Sequence, residues 1–144
     1  MSSTLATTEP ATAGKTVELG SPRSLRTAAA LTIAVAVAVH IPVAVAHLRE
    51  VPYLGIAFYL FVILEAGAAG AVLVDDRRRL WTAIALLNSA ALGTYLVSRW
   101  LGLPGAQDDR HDWGNGLGAI AILAEIATVL LSIVALRRSR SLAS

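Results

Sequence analysis

Four long apolar runs, at 31–46, 51–74, 80–97 and 113–136, are nearly free of charge, and short polar segments separate them. A hydrocarbon core about 30 Å thick is crossed by roughly 20 residues of helix. Three of the runs approach or pass that length, and the first does so once Thr27 to Ala30 are included. The pattern predicts an all-α polytopic membrane protein, a bundle of four transmembrane helices over about 27–48, 51–74, 80–98 and 113–136. These spans define a domain at 24–137 with tails at 1–23 and 138–144. The first 22 residues are rich in Ser, Thr, Ala, Gly and Pro without an apolar period, the composition of a disordered tail.

The charges orient the spans. Lys15, Arg23, Arg26, Arg77, Arg78, Arg79, Arg137, Arg138 and Arg140 flank one side of the predicted bundle, whereas only Arg49, Arg99 and Arg110 flank the other. Cytoplasmic loops carry the excess of Lys and Arg, so nine against three places both termini in the cytoplasm, as an even span number requires. Trp81, Trp100, Trp113, Tyr53 and Tyr95 lie toward span ends, where interfacial aromatics collect. One alternative arises at the first span, where Pro42 followed by Ala44-Val45-Ala46 resembles a signal-peptide cleavage site. Cleavage there would make His47 the N-terminus and leave three spans. The leader is long for such a signal, and an odd span number would put the arginine pattern out of step.

Composition agrees with the membrane class. Hydrophobic residues make up 56% and charged residues 15%, against about 25% charged in an ordinary soluble domain. Without cysteine there is no disulfide, thiolate metal site or thiol redox chemistry. The basic residues sit at helix ends and form no nucleic-acid face. Eleven arginines against one lysine, with abundant Ala, Val and Gly, suggest a high-GC bacterium and hence its plasma membrane.

Function must then reside in the few polar residues within the spans. His40 lies about 4 Å outward of its span centre at ~1.5 Å per residue, Glu65 lies a similar distance inward, and Glu125 is almost central. Asn88 falls near the middle of the third span. A charge at that depth costs about 2.5–3.5 kcal/mol on insertion scales, so each group should face the bundle interior and be neutral, paired or metal-bound. Small residues four apart mark faces of close helix approach: Gly118, Ala121, Glu125, Thr128 and Ser132 on the fourth span, Ala85, Ser89 and Gly93 on the third, Gly67 and Ala71 on the second.

A second cluster is predicted at the outer rim. His40 and His47 are two turns apart on one face, and Glu50 continues it. Asn88, Tyr95 and Arg99 align on the third span, while His111 and Asp112 enter from the loop. Imidazoles with carboxylates and no thiolate suit zinc, iron, copper or manganese, which makes His47, Glu50, His111 and Asp112 a candidate metal set. Haem fits less well, because both membrane histidines share one helix and could pair only with His111.

The run Tyr95-Leu96-Val97-Ser98-Arg99, then Gly102-Leu103-Pro104-Gly105, Trp113, Gly118 and Glu125, resembles a pattern in four-span membrane proteins of actinobacteria and related bacteria. His47-Leu48-Arg49-Glu50 leading into Pro52-Tyr53-Leu54-Gly55 resembles their first outer turn. The resemblance covers roughly residues 40 to 130, with Ser-Arg-x-x-Gly-Leu-Pro-Gly its most specific part. It departs at the charged stretch Gln107 to Asp112 and at Trp100. It implies the topology and a shared outer-rim site, and no reaction.

No phosphate-cradling glycine loop, Gly-x-Ser-x-Gly elbow or soluble nucleotide domain is present, so nothing points to an enzyme acting alone. Three readings follow. The first is a membrane protein binding a divalent metal or small ligand at the rim through His47, Glu50, Arg99 and His111. The second is a proton or ion transport component using His40, Glu65, Asn88 and Glu125. The third is an accessory subunit packed in the bilayer within a homo-oligomer or larger membrane complex.

Overall fold

The computed structural model describes residues 21–113 and 116–141. Four helices follow one another: α1 Pro22–Glu50, α2 Pro52–Val74, α3 Arg78–Trp100 and α4 Gly116–Ser141. All four are long and apolar enough to cross a membrane, which marks a multi-pass membrane protein. The expected tail at 1–23 falls largely outside the described residues, as do 142–144. Ser21 caps α1 by accepting from the Ser24 N–H at 3.2 Å, and Pro22 occupies the first turn, where its missing N–H costs nothing.

The turns have local causes. Val51 precedes Pro52 and takes a non-helical conformation (φ −137°, ψ 81°), because proline disfavours the helical region for the residue before it. That single residue reverses the chain from α1 into α2. The hairpin then closes on Gly55, where a Cβ would run into the Leu48 backbone. At the opposite end Asp75 and Asp76 stop α2, and the Arg26 Nε–H reaches across to the Val72 carbonyl at 2.8 Å, satisfying a carbonyl that the helix end leaves without a partner.

Around the bundle the order is α2, α1, α4, α3. α1 packs along both α2 and α4, α3 packs on α4, and α2 and α3 approach each other only sparsely. The inward residues recur at alternating spacings of three and four: Leu54, Phe58, Phe61, Glu65, Ala68 and Val72 on α2; Trp81, Ile84, Asn88, Ala91, Tyr95 and Ser98 on α3; Ala121, Glu125, Thr128, Ser132 and Ala135 on α4. This is the seam of knobs-into-holes packing. The small-residue stripe expected on α4 faces inward as anticipated. Those expected on α2 and α3 do not, since Gly67, Ser89 and Gly93 are exposed. Bulky and polar residues, rather than small ones, fill the seam on these two helices.

Polarity is inverted relative to a water-soluble bundle. Leu31, Ile63, Leu86 and Leu123 are all more than 60% exposed, while His40, Glu65, Asn88, Arg99 and Glu125 are buried. In lipid the exterior loses nothing by being apolar, and polar groups must find each other inside. The half of the bundle toward the chain termini is closed by Leu25, Ala29, Ile33, Val72, Trp81, Ile84 and Ala135. Trp81, expected toward a span end, lies in the first turn of α3 and faces the bundle interior. It is fully buried, and its indole N–H donates to Asp76 Oδ1 at 2.6 Å. Trp100 and Trp113 are exposed, consistent with interfacial positions.

Candidate functional site

The other half of the bundle, toward the α1–α2 turn and the α3–α4 loop, is not filled. It holds a cavity of about 490 Å³ walled by all four helices and the loop. Its apolar walls include Leu54, Phe58, Phe61, Leu87, Ala91, Leu117 and Ile122. Ala57 on α2 and Ala90 and Thr94 on α3 also line it and are exposed, so the sparse α2–α3 contact leaves a lateral mouth on the lipid-facing side.

A buried polar layer lies at the inner end of the cavity, and His40 and Glu125 of that layer line its floor. Asn88 Nδ2 donates to Glu65 Oε1 at 2.9 Å and to the Ile84 carbonyl at 3.0 Å, tying α3 to α2. His40 Nε2 faces Glu125 Oε1 at 3.5 Å, tying α1 to α4. Just below, Thr128 Oγ1 and Thr32 Oγ1 lie 2.8 Å apart, adding a second link between α4 and α1. The four residues expected at one depth are thus brought together as two inter-helix pairs. Glu65 Oε2 and Asn88 Oδ1 remain buried without partners among the described residues.

The rim forms a second layer about two turns away. His47 Nε2 meets Asp109 Oδ2 at 3.4 Å. Arg99 Nη1 donates to the Asp109 carbonyl at 2.6 Å and lies 3.5 Å from its Oδ1. The guanidinium sits over the Tyr95 ring, 4.9 Å from its centroid. Tyr95 in turn packs edge-on against Trp113 at 6.2 Å and against Gly118, where a Cβ would come within 3.3 Å of the ring. Phe58 packs between the two histidines, 5.6 Å from His40 and 5.2 Å from His47.

The histidines share one chemical arrangement. Nδ1 of His40 contacts the Ala36 carbonyl at 2.8 Å, and Nδ1 of His47 contacts the Val43 carbonyl at 3.0 Å. A carbonyl only accepts, so each Nδ1 carries the proton and each Nε2 faces a carboxyl. These contacts link α1 to α4 through His40 and Glu125, and α1 to the loop through His47 and Asp109.

The residues of the expected metal set are not brought together among the described residues. Glu50, His111 and Asp112 are exposed and do not join His47. Among the described residues no three His, Asp or Glu side chains converge so as to hold a metal ion. The cause is the course of the loop. Gly102 (φ 76°) and Gly105 (φ 78°) fold it back, the Tyr53 hydroxyl donates to the Pro104 carbonyl at 2.6 Å, and the His111 backbone N–H donates to the Arg99 carbonyl at 2.9 Å. His111, at φ 65°, docks through its backbone and leaves its imidazole exposed, while Asp109 on the 3-10 turn Gln107–Asp109 brings its carboxylate to the site.

Asp109, Phe58 and Phe61 are the site residues that sequence reasoning missed. The phenylalanines had a signal, because they precede Glu65 by seven and four residues on one helical face. Asp109 had none that separates it from Asp108 and Asp112. Compared with known proteins, the chain matches no family model, no curated protein and no solved structure.

Proposed function

We propose that this chain is a four-span protein of a bacterial plasma membrane, with both termini cytoplasmic, that binds a small amphipathic ligand in the outer half of its bundle. The supporting observation is the cavity of about 490 Å³. It is of ordinary ligand-site size and mostly apolar along its walls, with its charged and imidazole groups at the floor (His40, Glu125) and the rim (His47, Arg99, Asp109). A cavity with its mouth between α2 and α3 can be reached from the hydrocarbon phase, which is where an amphipathic molecule concentrates. The orientation rests on the arginine distribution.

A continuous proton path is less well supported. Below the floor the bundle is packed with Trp81, Ile84, Val72 and Ile33, and the hydroxyls of Thr32, Thr128 and Ser132 bond to one another or to backbone carbonyls there. The test of ligand binding is the unfolding temperature of the detergent-purified protein titrated with a fatty acid, a fatty alcohol and an isoprenoid quinone. At least one should raise it saturably, and Ala121→Trp, which places an indole in the cavity, should remove the rise. Equal shifts in parent and variant, or no shift in either, would refute the reading.

A further inference from the structure

Arg99 is a buried charge whose donors are only partly satisfied: Nη1 donates to the Asp109 carbonyl at 2.6 Å. Its residue is only 6% exposed, and its Nε is buried without an acceptor among the described residues. Its anionic partner among the described residues is Asp109, whose Oδ1 lies 3.5 Å from Arg99 Nη1 while Oδ2 lies 3.4 Å from His47 Nε2. Charge-assisted N–H···O bonds are normally about 2.7–2.9 Å, so the Asp109 carboxylate makes a close contact with neither side chain. A buried cation without a close counter-charge is costly, and a planar guanidinium is best matched by a two-oxygen anion. Arg99, His47 and Asp109 all line the cavity, at the end opposite His40 and Glu125.

Resting on the cavity reading above, we infer that the occupant is an amphipathic carboxylate, of the free fatty acid class, with its head group on Arg99 and His47 at the rim and its chain in the apolar cavity. Asp109 then serves as a stand-in for the ligand's head. Held by a loop and about one-third exposed at its side chain, it can yield the guanidinium when a closer carboxylate arrives. The apolar walls formed by Phe58, Phe61 and Ala91 explain why the chain of the ligand, and not only its charge, should matter.

The experiment compares decanoate, decanol and acetate by calorimetric titration of the protein in a non-ionic detergent, with Ala121→Trp as the baseline for micelle partitioning. Decanoate should bind the parent at least tenfold more tightly than decanol, and acetate should not bind measurably. Arg99→Gln should bring decanoate and decanol within about twofold of each other. Asp109→Asn, which removes the competing carboxylate and leaves Arg99 in place, should widen the decanoate preference, and it carries the test should Arg99→Gln fail to fold. Equal binding of decanoate and decanol by the parent, or a weaker decanoate preference in Asp109→Asn, overturns the acidic-head inference while leaving the cavity reading intact. Acetate binding as tightly as decanoate overturns the amphipathic ligand. If no compound binds the parent above the Ala121→Trp baseline, the cavity reading itself fails.

Discussion

Replacing Asn88 by leucine probes whether the polar layer holds the sparse α2–α3 contact together. Asn88 and Glu65 are both fully buried, and their 2.9 Å hydrogen bond joins two neighbouring helices that otherwise touch only sparsely. Glu65 Oε2 already lacks a partner, so Asn88→Leu strands the whole carboxyl group in an apolar environment. A stranded buried polar group costs about 1–3 kcal/mol, whereas a hydrogen bond between membrane helices contributes about 0.6 kcal/mol on average and about 1.7 at most. The single variant should therefore lose about 1–2 kcal/mol. The double variant Glu65→Leu with Asn88→Leu removes both polar groups and should lose less than the sum of the singles by at least about 0.6 kcal/mol. Equilibrium unfolding by titration with dodecyl sulfate in mixed micelles, followed by circular dichroism, reads each value. Independent sites add within about 0.3–0.5 kcal/mol. Additivity within that margin, or an unaffected Asn88→Leu variant, would show that the pair does not bind α2 to α3.

Three further outcomes are expected. Gly55→Val forces a branched side chain against the Leu48 backbone and should cost about 1–3 kcal/mol in the same unfolding assay; an unchanged midpoint would mean that the α1–α2 turn is not closely packed. Trp81→Phe keeps most of the ring and removes the 2.6 Å bond to Asp76, so it should lose about 1 kcal/mol, while Trp81→Ala should lose about 3 kcal/mol. A smaller loss for alanine than for phenylalanine would contradict Trp81's place as the plug of that half of the bundle. Because the chain contains no cysteine, Asp108→Cys and Asp76→Cys report topology directly. An impermeant maleimide should label the first in intact cells and the second only after permeabilisation, and the reverse pattern would invert the proposed orientation.

Much of the architecture is legible in the sequence because the bilayer imposes one-dimensional rules. Helix length follows from hydrocarbon thickness, and an internal polar residue must turn inward. That is enough to find four helices and to pick His40, Glu65, Asn88 and Glu125 as an interior layer. Helix ends are legible only where a cap or proline marks them. Ser21-Pro22 starts α1 before the apolar run does, and α4 starts at Gly116 rather than Trp113.

What tertiary structure alone decides is which inward groups meet. Depth does not say that His40 pairs with Glu125 while Glu65 pairs with Asn88; the circular order α2, α1, α4, α3 does. Nor does composition say that Asp109, among three acidic residues of one loop, reaches Arg99 and His47. That choice depends on two glycines with positive φ and a backbone hydrogen bond from His111 to Arg99. The cavity is the furthest from sequence of all, because it exists where α2 and α3 part, and a gap between helices is a property of their packing rather than of any residue.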